Sequence, residues 1–135
     1  MGSAFRDLLV WQRAIDLTTE IYRLTEEFPK SELYGLSSQV RRAAVSVPSN
    51  IAEGSGRGTK REFRQFLLMA RGSLCEVHTQ LIIAGNLGFA ERGRLQCTES
   101  IANEVGRMLN RLLQSMSVDA QQTGKTSNQQ LRTTN

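Results

Sequence analysis

The chain has little of what would point to covalent staples, metal ions or a lipid phase. Only two cysteines, one histidine and two prolines occur in 135 residues. Cys75 and Cys97 lack CxxC spacing, and His78 does not complete a zinc set with them. If the two cysteines lie on neighbouring helices joined near Gly88, Cys97 levels with about residue 79. That offset of ~6 Å along the axis disfavours a disulfide, so reduced cysteines are expected. No apolar run reaches about eighteen residues, so no membrane span is expected. The N-terminal MGSAFRDLLVWQR sets acid and base around a short apolar patch and has no signal-peptide core. A cytoplasmic location is the resulting expectation.

What is present is helical patterning. In the first segment Val10, Ala14, Leu17, Ile21, Leu24 and Phe28 alternate steps of four and three. The third keeps this rhythm through Phe63, Leu67, Ala70, Leu74, Val77, Leu81 and Ala84. The fourth does so through Leu95, Thr98, Ala102, Val105, Leu109, Leu112 and Met116. Such alternation holds one apolar stripe toward neighbouring helices over several turns. The second segment is looser, with Leu33, Leu36, Val40, Ala44, Val47 and Ile51. Pro29 closes the first helix, Gly54, Gly56 and Gly58 the second, and Gly85 to Gly88 the third. Short connections predict an all-α, antiparallel up-down four-helix bundle over 8–116. Residues 1–7 form an N-terminal extension. The polar tail 117–135 lacks the apolar surface to offset its ordering entropy and is expected to be mobile.

The densest local chemistry lies in VPSNIAEGSGRGTKREFRQFLLMARGSL, from Val47 to Leu74. Thr59 and Glu62 have capping-box spacing and fix the start of the third helix. Pro48 falls inside a helical pattern, where it removes a donor and crowds the Ala44 carbonyl, predicting a kink or local irregularity. Asn50 is placed to bond either the freed carbonyl or a neighbouring helix. Pro48, Asn50, Glu53, Gly54, Thr59 and Glu62 together form a structural motif.

Charge concentrates in the same region. Arg41, Arg42, Arg57, Lys60, Arg61, Arg64 and Arg71 face only Glu53 and Glu62, a net of +5 between residues 41 and 71. The remaining ten basic and eleven acidic residues give −1. At ~100° per residue, Lys60, Arg61, Arg64 and Arg71 share one flank of the third helix. The seven basic residues are candidate phosphate contacts, with a solvated helix face as the alternative.

The outer side of that helix carries Leu68, Met69 and Gly72, bordered by Phe66 and Ser73. An exposed mid-helix glycine costs ~1 kcal/mol relative to alanine, whereas against another subunit it permits close backbone approach. These five residues are the candidate oligomer interface. Catalysis has little support: the glutamates do not gather around a nucleophile. GSGRG follows a helix and lacks the Gly-Lys-Ser/Thr ending of a phosphate-binding loop. No enzyme activity, cofactor or metal is expected.

The segments DLLVWQRAIDL, FPKSELYGLSSQVRRAAVSVPSNIAEGSGR, EFRQFLLMARGSL and TQLIIAGNLGF resemble the four-helix-bundle proteins associated with intervening sequences in bacterial 23S ribosomal RNA genes. This resemblance implies an up-down bundle that assembles as a homopentamer, and implies no catalytic residues. More distantly, the chain is similar to accessory proteins of diversity-generating retroelements, which are basic pentameric bundles that bind nucleic acid and a reverse transcriptase. Within SLCEVHTQL, Glu76 follows the family pattern, while His78 stands where a second glutamate is expected.

The resulting expectation is a non-enzymatic homo-oligomer that binds nucleic acid, structured RNA above all, through its basic surface. The alternative is a protein-interaction scaffold, or a retroelement accessory protein, whose basic surface meets a protein partner such as a reverse transcriptase.

Overall fold

The computed structural model describes residues 4–123. Four helices account for most of them: α1 (Leu9–Thr25), α2 (Leu36–Ser55), α3 (Lys60–Asn86) and α4 (Arg92–Thr123). Short 3₁₀ turns cover Ala4–Asp7 and Lys30–Glu32, and no strand occurs among the described residues. The fold is an all-α bundle. α4 runs seven residues past Met116 into the segment expected to be mobile, and residues 124–135 of that segment lie outside those described.

The apolar stripes form one core. Leu17, Ile21, Leu24, Val40, Val47, Ile51, Leu67, Leu81, Val105 and Leu109 are fully buried. Each such side chain contributes about 1.5–3 kcal/mol relative to an exposed one. Two positions depart from the expected stripes. Leu113 is buried where Leu112 was expected, because α4 continues from Leu109 by four residues instead of three. Leu33 is 49% exposed, since it lies in the α1–α2 connection and α2 begins only at Leu36.

Cross-helix contacts fix the order of the elements. Thr18 and Thr25 on α1 meet Ala44 and Arg41 on α2. Gly54 and Ser46 on α2 meet Phe66 and Ser73 on α3. Arg13 on α1 and Glu27 in the turn just after it pair with Glu104 and Arg94 on α4. In each pairing, contact numbers rise along one helix as they fall along the other.

The breaks are chemical. The Leu36 amide donates to Glu32 Oε1 at 2.9 Å, which satisfies one of the orphan donors at the start of α2. Beyond α3, the Phe89 amide returns to the Ala84 carbonyl at 3.0 Å and the Gly88 amide to Gly85 at 3.2 Å, with Gly88 at φ +69°. That is a Schellman ending, and it needs a residue that tolerates positive φ.

Pro48 lies inside α2, which remains one helix through it. The carbonyl it deprives of a donor, that of Ala44, accepts instead from Thr18 Oγ1 at 3.0 Å. Asn50 does not serve that carbonyl. Its Nδ2 donates to the Ser46 carbonyl at 2.8 Å and to Ser46 Oγ at 2.9 Å, and Ser46 Oγ meets Ser73 Oγ at 2.8 Å. A polar chain thus links α2 to α3.

Gly54, expected from its spacing to end α2, is helical and buried. A Cβ there would stand 2.6 Å from Phe66 Cβ, so the glycine permits close approach of α3. The turn itself uses Gly58, at φ +96°.

Candidate nucleic-acid interface

The candidate surface begins where α3 begins. The Thr59 hydroxyl accepts from the Glu62 amide at 3.2 Å and donates to Glu62 Oε1 at 3.1 Å. This cap orients the first turn of α3 and holds the Glu62 carboxylate against Thr59. Lys60 and Arg61 are exposed, and Arg64 is half-buried. Arg57 lies just before the cap. Its guanidinium pairs with Glu53 Oε2 at 3.1 Å and sits 5.0 Å from the centroid of the Phe66 ring. One α2 carboxylate therefore offsets part of its charge.

Further along the same flank, Arg71 Nη1 donates to Asn110 Oδ1 on α4 at 3.1 Å. On α4, Arg107 and Arg111 are exposed, three residues before Asn110 and one after it, and Arg111 lines a groove with Asp7, Leu8 and Leu9 near the start of α1. Neither arginine was among the residues expected from the sequence; their signal was an i, i+4 basic pair on α4. Glu104, the closest acidic residue along that helix, is held by Arg13 Nε at 3.0 Å. Arg13 itself is raised above its ordinary pKa by hydrogen bonds to Asp16 first and Glu104 second. It is committed to the α1–α4 contact and lies apart from the band.

The seven candidate phosphate contacts do not form one surface. Arg57, Lys60, Arg61, Arg64 and Arg71 belong to a band along the start and flank of α3. Arg42 opens onto a polar groove between α2 and α3 that also contains Glu76 and Gln80. Arg41 turns toward α1, where its Nε donates to Thr25 Oγ1 at 2.7 Å and its guanidinium lies 4.8 Å from the centroid of the Tyr22 ring. Adjacent positions on a helix point about 100° apart, which separates Arg41 from Arg42.

The five candidate interface residues divide as well. Phe66 packs against Gly54 and under Arg57, Ser73 bonds Ser46, and Leu68 packs partly against the core. Leu68 thus departs from the expected outward orientation. Met69 is 51% exposed, and a Cβ on Gly72 would meet nothing within 4 Å. Cys75 and Cys97 are free and exposed. Among the described residues, no group of three or more histidines, cysteines or carboxylates is placed to hold a metal. None of the described helices is long and apolar enough to cross a membrane.

The described residues define a four-helix all-α bundle protein. The model of the 23S rRNA-intervening sequence protein family matches residues 6–111, and the chain belongs to that family. Its fold is similar to a solved protein of unknown function from the S23 ribosomal protein family of Bacteroides thetaiotaomicron. The TM-score is 0.73 at 17% identity, covering 78% of this chain and 98% of that one. At that identity the likeness speaks to fold alone. No curated protein matches the chain.

Proposed function

We propose that this protein is a non-enzymatic homo-oligomer, a pentamer, that binds structured RNA in the cytoplasm through the α3 band. The carrying observation is the placement of Arg57, Lys60, Arg61, Arg64 and Arg71 along the start and flank of α3, with Arg71 reaching Asn110 on α4. Such a band attracts a phosphate backbone by counterion release, and symmetry multiplies it. Family membership supports RNA as the polyanion.

Gly72 and its neighbours support assembly. Gly72 is not required by packing within the chain, and Met69 and Ile83 are exposed on its side of α3. A second helix laid there would bury both residues against a smooth backbone.

The test is fluorescence anisotropy with a labelled RNA hairpin over a salt series, alongside native mass spectrometry of protein purified without nuclease. The expectation is a pentamer whose affinity falls steeply with salt. Combined Lys60→Glu, Arg61→Glu and Arg64→Glu should abolish binding without changing helix content. Unchanged binding would reject the band, and a monomer would reject the assembly.

A further inference from the structure

Arg41 stands apart from the α3 band and lines a hollow of about 310 Å³ between the end of α1 and the start of α2. A volume of this order suits a small ligand. The walls are apolar, formed by Phe28, Pro29 and Leu33. Polar and charged side chains share the lining.

Lys30 and Arg41 supply positive charge at the hollow, and neither has a carboxylate partner among the described residues. Thr25, only 4% exposed, holds Arg41 through its Nε and donates its own proton to the Ile21 carbonyl at 2.8 Å. That leaves the terminal nitrogens of Arg41 available. Ser37, 3% exposed, also lines the hollow, and its hydroxyl has no hydrogen-bond partner among the described residues. A hydroxyl on the wall of the hollow without a protein partner is open to meet a ligand atom. An acidic side chain, Glu26, borders the same space.

This combination selects against a simple anion, which Glu26 would repel. It suits a ligand with a doubly charged end and, at the other end, a flat body that bears N–H donors. We propose that the hollow takes a single unpaired nucleotide. Its 5′-phosphate meets Lys30 and Arg41, its base lies against Phe28 and Leu33, and Ser37 Oγ and the Glu26 carboxylate read the base edge. Unpaired bases are recognised in this way, by packing against flat or apolar side chains and hydrogen bonding along their edges. Guanine fits the carboxylate best, because its edge presents two neighbouring N–H donors. The nucleotide can be free or part of an RNA strand. The site goes beyond the α3 band and does not depend on it.

The experiment is calorimetric titration of the full chain with guanosine 5′-monophosphate, guanosine, inorganic phosphate and a 5′-phosphorylated single-stranded trinucleotide beginning with G. Guanosine 5′-monophosphate should bind saturably, and guanosine and phosphate each about tenfold more weakly or less well still, since each forfeits one end of the site. Arg41→Gln and Ser37→Val should each weaken the nucleotide about tenfold while circular dichroism stays unchanged. Combined Lys60→Glu, Arg61→Glu and Arg64→Glu should leave it unaffected, which separates this site from the band. A trinucleotide binding more tightly than the mononucleotide identifies an RNA strand as the source, and equal affinity identifies the free nucleotide. Absence of saturable binding by both would overturn the proposal. So would inorganic phosphate binding as tightly as the nucleotide, or indifference to both Arg41→Gln and Ser37→Val.

Discussion

Thr18 of α1 donates its hydroxyl proton toward the Ala44 carbonyl of α2 at 3.0 Å, and Ala44 is the residue whose helical donor Pro48 removes. One helix thereby completes the hydrogen bonding of its neighbour. The same hydroxyl lies 2.8 Å from the Ala14 carbonyl, so it bridges the two helices.

The pairing predicts coupling between positions 18 and 48. Thr18→Val keeps the shape but strands the Ala44 carbonyl, and should cost about 1–3 kcal/mol in urea unfolding. In a Pro48→Ala background the amide donor returns to α2, so the same valine substitution should cost markedly less. Equal costs in both backgrounds would show that the carbonyl is satisfied otherwise.

Two helical glycines predict opposite responses to alanine. Gly54→Ala forces a methyl to within 2.6 Å of Phe66 Cβ and against Phe63, and should destabilise by about 1–3 kcal/mol through overpacking. Gly72→Ala meets open space and should stabilise an isolated subunit by up to ~1 kcal/mol. Thermal unfolding of both variants at low protein concentration checks the contrast.

If α3 meets another subunit at Gly72, a larger side chain there should act on assembly without unfolding the chain. Gly72→Leu should shift sedimentation toward smaller species while leaving helical circular dichroism intact. Unchanged sedimentation would move the interface away from this side of α3.

Much of this architecture was legible in the sequence because a four-three alternation leaves little freedom in which face is buried. The stripes through Leu17 and Ile21, Leu67 and Leu74, and Val105 and Leu109 are buried as that spacing requires. The Thr59 cap was legible for a similar reason, since both partners lie within one turn. What escaped were contacts set by neighbours distant in sequence. Gly54 reads as a helix stop until Phe66 is seen against it, and Thr18 carries no local mark of its bond to Ala44. Arg41 and Arg42 are equally basic, but only packing against Tyr22 and Thr25 directs one of them toward α1.

The band should extend onto α4, which is a separate claim from the requirement for Lys60, Arg61 and Arg64. Arg71 reaches Asn110, and Arg107 and Arg111 are exposed on the same helix, Arg111 beside a groove that includes Asp7 and Leu8. If RNA follows this surface, those two cations each neutralise a phosphate and release counterions. Combined Arg107→Gln and Arg111→Gln should then weaken hairpin binding and flatten the plot of log K against log salt by about 1.4–1.8, the contribution of two phosphate contacts. Glutamine keeps helix propensity close to that of arginine, so stability should change little. An unaltered slope with intact affinity would confine the RNA to the start of α3, and an unaltered slope with reduced affinity would show that the two residues act through structure instead of charge.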